Sequence, residues 1–427
     1  MDQIVFIDTE IEALTGRILD IGAVREGGSE FRKNSASELT AFLKGARYVC
    51  GYNIIGHDLK SLGGVIKDAG VEKVIDTLTL SPLLFPTKPY HALVKDDKLQ
   101  TDDINNPLSD AIKARDLFYD EVAAFEDLEP VSKGIYFGLL KEQKEFASFF
   151  HYLDLKSRNS RHSNLEFPPS TLEYMIRTAY STKICANKDL QPYIDNNPIE
   201  LAYALALIQT EDRYSIIPPW VAKTYPFVEE ILNNLRNTPC PTGCNYCRSA
   251  LDIHEELKRY FGYESFRTFD GEPLQEKAVN AAVHNRSLLT VFPTGGGKSM
   301  TFQLPALIGG QSARGLTVVI SPLQSLMKDQ VDNLERVGIV DAVTINGQQD
   351  PIERAKSIER VRDGSASLLY IAPESLRSST IENLLLGRNV IRFVIDEAHC
   401  FSAWGQDFRI DYLFIGDFIK ALHEKKN

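Results

Sequence analysis

Four groups of residues in this 427-residue chain have the types and the spacing to do chemistry. The first is Pro293-Thr294-Gly295-Gly296-Gly297-Lys298-Ser299, which follows the apolar run 287–292 and precedes a helical pattern. Glycine amides at a helix start cradle phosphates, a lysine there reaches the outer phosphates, and a serine hydroxyl binds Mg²⁺. The second is Asp396-Glu397-Ala398-His399, at the end of the β-branched run 391–395. An acidic pair at the carboxyl end of a buried strand suits a metal contact at Asp396 and an orienter of attacking water at Glu397.

The third group is acidic. Asp8 and Glu10 close the first apolar run, Asp58 opens a helical run after Gly51-Tyr52-Asn53, and Asp110 follows the helix start at Pro107. Four carboxylates drawn together repel one another and need cations. Two divalent metals about 4 Å apart, the arrangement used for in-line phosphodiester hydrolysis, would satisfy them. The fourth group is Cys240, Cys244 and Cys247. Three thiolates need a fourth ligand, which is Cys185 or His254, and four-ligand sites of this kind hold zinc or an iron–sulfur cluster. Cys50 and Cys400 read as ordinary buried cysteines.

These groups need elements to position them. Residues 3–8 and 18–24 read as an antiparallel strand pair about a Thr15-Gly16 turn. Apolar residues recur at helical period in 37–44 and 107–125, where Asn106-Pro107 supplies a start signal. Residues 1–120 therefore read as one α/β domain. From 121 to 239 apolar residues fall at three-four spacing, which predicts a helical connector, and 240–255 is a cysteine-rich element. In 256–427, strand-like runs at 287–292, 316–320, 367–372 and 391–395 alternate with helical patterns, as a parallel doubly wound sheet requires. The fold class is thus multidomain α/β.

The segments VFPTGGGKS, SPLQSLMKDQV, TING, YIAPESL, VIDEAHC and FSAWGQDFRIDY, in that order, resemble the first RecA-like lobe of a RecQ-family DNA helicase over residues 256–427. The resemblance implies a RecA-like P-loop NTPase fold that couples hydrolysis of ATP, with Mg²⁺, to 3′-to-5′ unwinding of DNA. It makes Lys298, Asp396, Glu397 and His399 catalytic, and Thr294, Gly295, Gly296, Gly297, Lys298 and Ser299 ATP-binding. Gln275 becomes the adenine reader. Trp404, Phe408 and Arg409 become sensors of single-stranded DNA, where aromatic rings stack on bases of any sequence. Gln406 stands where the family usually has His. Arg267 and Gln275 are further apart than the family's usual two residues, so Phe266 and Arg267 carry no assigned role. A second RecA-like lobe is expected in a longer chain or in trans, because losing its arginine finger costs about 10³–10⁵ in rate. By itself the chain is expected to turn ATP over slowly and not to unwind DNA.

Residues 1–120 resemble the DEDD family of 3′-to-5′ exonucleases, which implies an RNase H-like fold with Asp8, Glu10, Asp58 and Asp110 as Mg²⁺ or Mn²⁺ ligands. The positions where that family carries its His or Tyr general base are Asn105 and Asn106 here, and neither side chain accepts a proton from water. His57 or His91 would have to substitute. An exonuclease-like domain followed by a helicase-like one is a Werner-type order.

Composition narrows the classes. With 43% hydrophobic and 25% charged residues, the chain is not expected to be disordered, and the lack of any stretch of eighteen or more apolar residues speaks against a spanning helix. The opening MDQIVFIDTE lacks the basic start of a secretory signal, so an intracellular protein is expected, cytoplasmic in a prokaryote and nuclear in a eukaryote. The formal charge is −11, which speaks against binding nucleic acid through a basic tail. Residues 256–427 hold twenty basic and twenty-one acidic side chains, so the acidity lies almost wholly before them. Three readings remain: a nuclease–helicase enzyme, a non-catalytic module that binds DNA and ATP, and an ATP-dependent signalling switch, which would bind nucleotide without DNA stimulation.

Overall fold

A computed structural model of the chain describes residues 3–12, 14–87, 106–159, 169–210, 215–293, 295–347, 349–401 and 411–426. The chain divides into two compact units, Met1–Ala179 and Tyr180–Asn427. The stretch 121–239, read from the sequence as a helical connector, contains that division. Its first helices belong with the amino-terminal sheet and the rest with the second unit.

Unit one comprises β1 (Ile4–Ile11), β2 (Ile18–Arg25), β3 (Glu30–Lys33), α1 (Ala36–Leu43), β4 (Tyr48–Gly51), α2 (Leu59–Asp68), β5 (Lys73–Asp76), α3 (Thr77–Leu84), α4 (Pro107–Asp127), α5 (Pro130–Leu140), α6 (Ala147–Asn159) and α7 (Pro169–Ala179). The sheet order is β3-β2-β1-β4-β5, antiparallel from β3 to β1 and parallel from β1 to β5. Alternation along β1 splits its side chains between two layers. Val5 and Ile7 join Leu39, Leu43, Leu62 and Ile66 of α1 and α2 in one core. Phe6, on the other face, meets Phe118 of α4 with ring centroids 5.7 Å apart. Asn106 caps α4, its side chain accepting from Ser109 N at 3.4 Å, and Pro107 occupies the first turn where no N–H is missed.

Unit two begins with helices α8 (Gln191–Asn196), α9 (Pro198–Gln209), α10 (Pro219–Thr224), α11 (Phe227–Arg236), α12 (Asn245–Ala250), α13 (Ile253–Phe261) and α14 (Leu274–Val283). It continues with α15 (Met300–Ala313), β6 (Leu316–Ile320), α16 (Gln324–Arg336), β7 (Ala342–Ile345), α17 (Pro351–Arg362), β8 (Leu368–Ile371), α18 (Ser379–Leu386), β9 (Val390–Ile395) and α19 (Asp411–Lys426). The sheet is wholly parallel, in the order β7-β8-β6-β9. Helix α9 is buried from Ile199 through Ile208 apart from Glu200, so it is a core helix and not a one-faced surface helix.

One expected strand is absent. The run 287–292 has no strand assignment, with Leu289 82% and Val291 83% exposed. A strand exists only where a neighbour completes its ladder, and among the described residues this run pairs with none. The sheet ends at β9, whose six residues are all only partly buried.

Candidate functional site

The glycine loop closes on itself before α15 begins. Gly296 N donates to Pro293 O at 2.9 Å, and Met300 N to Gly297 O at 3.2 Å. Gly297 has φ +71, where a side chain is strained, and a Cβ there would lie 2.7 Å from Gln275 Nε2 and displace it from Gly297 O. Ser299 stands at the N-cap position of α15. The loop thus presents Lys298 and Ser299 at a helix amino terminus, where backbone N–H groups and the helix dipole favour phosphate.

The acid pair lies beyond the carboxyl ends of β6 and β9. Asp396 N extends the ladder to Ile320 O at 2.9 Å, which places its side chain beside Ser321, whose Oγ is 3.4 Å from Asp396 Oδ2. Burial raises the pKa of Asp396, while the Glu397 backbone N–H and the Lys298 ammonium act to lower it. The neighbouring Glu397 charge adds to the effect of burial, so the net direction is upward. Glu397 sits at φ +52, left-handed backbone that a side chain adopts only at a cost. Its carboxylate lies 3.1 Å from His399 Nδ1.

Gln275 and Arg267 share the far side of the loop. Gln275 accepts from Arg267 N at 2.9 Å and donates to Gly297 O at 2.9 Å, while Arg267 Nη1 donates to Gly295 O at 2.9 Å. The additional residues between them are taken up by a tight turn. Phe269 and Glu272 exchange backbone hydrogen bonds of 2.9 and 2.8 Å around Asp270 and Gly271, both at positive φ. Arg267 thus belongs with the loop despite the altered spacing. Arg392 of β9, which sequence reading passed over, donates to Ala282 O at 2.9 Å and ties the sheet to α14.

In unit one the four acids divide between the faces of the sheet. Asp8 is paired with Gly22, and Glu10 with Asp20, across β1 and β2. The face that carries Asp8 is covered by the start of α4, which approaches so closely that a Cβ on Gly22 would lie 2.1 Å from Leu108 N. Asp110 is in that first turn, 3.8 Å from Lys113 Nζ. Asp58 instead opens α2 on the opposite face, 1% exposed, and accepts a hydrogen bond from Thr9. Burial raises its pKa against the lowering effects of Thr9 and His57. Among the described residues, no three of these acids bring ligand atoms within 4.8 Å of one another. Asn106 is engaged as a helix cap, and His57 Nδ1 lies 3.6 Å from Asp58.

Asp76, at the end of β5, was not picked out from the sequence. Its buried carboxylate accepts from Asn53 N at 2.8 Å, Ile55 N at 3.0 Å and Leu78 N at 3.0 Å, fixing the loop that delivers Asp58. Burial raises its pKa to about 6 despite those three donors. An aspartate ending the apolar pair Val74-Ile75, at the N-cap of α3, was the available signal.

The cysteines do converge. Cys185, Cys240, Cys244 and Cys247 place their sulfurs within 4.8 Å of one another, so Cys185 supplies the fourth position. His254 is engaged with Glu276 at 3.2 Å. Cys240 accepts from Cys244 N and Asn187 Nδ2, each at 3.2 Å. Burial acts to raise the Cys240 thiol, but these donors and Thr242 bring its pKa down to about 5. Burial raises Cys247 and Cys185. Thr294, His91, Asn105, Trp404, Gln406, Phe408 and Arg409 lie outside the described residues. A separate cleft of about 570 Å³, lined by Lys183, Arg236, Arg259 and Arg314, opens at the amino ends of the parallel strands, away from the glycine loop.

A glycine loop opening a helix, with an acid pair at the carboxyl edge of a parallel sheet, is the arrangement of a nucleotide-hydrolysing α/β lobe. Residues 272–426 match the DEAD/DEAH box helicase family. Over this region the chain is similar to the ATP-dependent DNA helicase RecQ of Bacillus subtilis, at 44% identity over 169 residues, which is 40% of this chain and 27% of that protein. It is 42% identical over 160 residues to RecQ of Haemophilus influenzae, covering 38% of this chain and 24% of that one. It is also 41% identical over 172 residues to the ATP-dependent DNA helicase Q5 of Rattus norvegicus, 38% of this chain and 17% of that one. The matched region thus spans about a quarter or less of the length of these curated relatives. Among the described residues, no helix is long and apolar enough to cross a membrane.

Proposed function

We propose that the second unit is a RecQ-like motor lobe that binds ATP and couples its hydrolysis to 3′-to-5′ movement on DNA. The observation that carries this is the glycine loop opening α15 with Ser299 at its N-cap position, together with Asp396 at the carboxyl edge of β6 and β9. In this reading the loop amides with Lys298 hold the phosphates, and Gln275 with Arg267 flanks the base. Ser299 and Asp396 would hold Mg²⁺, which neutralises charge on the phosphates when bound. Glu397 orients the attacking water, and His399, paired with it, sets the direction of its carboxylate. Trp404, Phe408 and Arg409 read single-stranded DNA. Charge compensation at the γ-phosphate is assigned to a second RecA-like lobe, in the same polypeptide or in trans. ATPase activity with and without single-stranded DNA, in wild type and Lys298→Ala, tests the reading. DNA-stimulated turnover lost in the variant supports it, and turnover that survives Lys298→Ala refutes it.

For the first unit the proposal is a DEDD-type, RNase H-like exonuclease domain with Asp8, Glu10, Asp58 and Asp110 as its Mg²⁺ or Mn²⁺ ligands. The mixed sheet and the approach of α4 to the Asp8 face support it. A second reading, a non-catalytic DNA-binding domain, is favoured by Asp58 turning to Thr9 and by Asn106 serving as a cap. Mn²⁺-dependent nucleotide release from a 3′ end, abolished by Asp8→Ala, decides for the first. Binding without release decides for the second. The four cysteines are read as a structural metal site for zinc or an iron–sulfur cluster.

A further inference from the structure

The tetrathiolate group stands inside the hydrophobic core that carries the nucleotide loop. Cys185, Cys240 and Cys247 pack in one cluster with Leu257 of α13, Phe266, Val279 and Val283 of α14, and Leu304 and Ile308 of α15. Helix α14 carries Gln275, and α15 begins at the loop itself, so both helices that frame the glycine loop rest on the cysteine knuckle. Polar ties run the same way. Cys185 N donates to Leu235 O at 2.9 Å, and Tyr246 OH donates to Arg236 O at 2.8 Å. Asn237 O then accepts from Asn285 at 3.1 Å, just past α14, and Asn237 Oδ1 from Ser312 of α15 at 3.2 Å.

The spacing of the sulfurs selects the occupant. A single tetrahedral ion with zinc–thiolate bonds of about 2.3 Å sets its sulfurs roughly 3.8 Å apart. Here Cys244 Sγ and Cys185 Sγ are 3.9 Å apart, and all four lie within 4.8 Å. Ligands on separate irons of a cluster must spread around several metal atoms and stand wider than this. A disulfide needs about 2.05 Å and is not formed. With four thiolates and no open position, such a site is structural and not catalytic.

We infer that one zinc-class divalent ion held by Cys185, Cys240, Cys244 and Cys247 braces α14 and α15, and that its presence sets the affinity of the glycine loop for nucleotide. This deepens the motor-lobe reading and rests on it for the nucleotide, though not for the ion. The brace acts through Gln275: if the knuckle loosens, α14 shifts and the hydrogen bond to Gly297 O is lost.

The test uses the full chain. Metal content and the ultraviolet–visible spectrum are measured on purified protein, and again after substitution with Co²⁺. The affinity for a fluorescent ADP derivative is then measured in wild type, in Cys244→Ser, and in wild type stripped by a chelator, returned to Mg²⁺ buffer and reloaded with Zn²⁺. One zinc per chain is expected, with a tetrahedral thiolate spectrum for the cobalt form. Nucleotide affinity should fall about tenfold on stripping and return on reloading, while circular dichroism keeps its helical signal. Lys298→Ala should lose nucleotide binding with its zinc intact, which separates failure of the nucleotide reading from failure of the ion. Iron with labile sulfide, or two disulfides and no metal, overturns the ion. Unchanged nucleotide affinity in stripped protein overturns the brace.

Discussion

The glycine loop of the second unit and the acid set of the first are built on opposite plans. The loop is contiguous in the chain and is closed by two backbone hydrogen bonds, Gly296 N to Pro293 O and Met300 N to Gly297 O, while Arg267 and Gln275 hold the Gly295 and Gly297 carbonyls. The acids come from a strand and the starts of two helices, on both faces of a sheet, and nothing but cations would draw them together. Asp58 shows the outcome: it is buried against Thr9 while its second oxygen has no hydrogen-bond partner. A site made of amides needs no added charge once its loop and the side chains that hold it are in place. One made of carboxylates is completed only when charge of the opposite sign arrives.

Perturbing each plan in turn breaks or sharpens this contrast. The largest effect belongs to Glu397→Gln, which leaves the loop intact. Turnover should fall about 10²–10⁴-fold, with nucleotide still bound in an equilibrium titration; a matching loss of binding would mean that the acid pair is part of the cradle. Next comes Asp76, whose raised pKa makes ionisation in the folded state costly. The unfolded carboxyl ionises first, so the contribution of Asp76 to unit-one stability is fully present below about pH 4 and is lost as pH rises to about 6. The loss amounts to at most about 3 kcal/mol. Denaturation curves between pH 4 and 7 should show this slope and lose it in Asp76→Asn. An unchanged slope in the variant would place the titration elsewhere.

Gly22→Ala tests how tightly α4 is set over the acid face, since the new methyl would fall on Leu108 backbone. About 1–3 kcal/mol of destabilisation is expected, with ATP turnover by the second unit unaffected. A neutral result in thermal melts would show that α4 moves freely over Asp8. Asn106→Ala should cost about 1 kcal/mol as a lost cap. Asn106→Asp should retain that stability, because an aspartate caps equally well, and this separates the capping role from any part in proton transfer.

Much of this was legible in the chain, for identifiable reasons. The pair β1 and β2, helix α4 with its Asn106-Pro107 start, and strands β6, β8 and β9 follow from alternation, capping chemistry and β-branched runs. Among the four-residue strands, β8 stands out as a wholly apolar run, whereas β3, β4, β5 and β7 are too short to show a period. The run 287–292 has the composition of a buried strand, but composition cannot supply the neighbour that a ladder requires. Cys185 could be named only as one of two candidates, because the fold, not the spacing, brings it to the other three cysteines. Asp58 and Asp110 stand at helix starts, but β1 runs on to Ile11 and carries Asp8 in its middle, and periodicity does not say that Thr9 and Asp8 face different layers until the helices on each side are known.

The small turn at Phe269–Glu272 has a consequence for how such sites change length. By pinching its own ends together, it uncouples the number of residues between Arg267 and Gln275 from the distance between them. Residues can be gained or lost at the turn's exposed tip while the two side chains keep their grip on the loop. Contour length is free to drift there because reach is held constant.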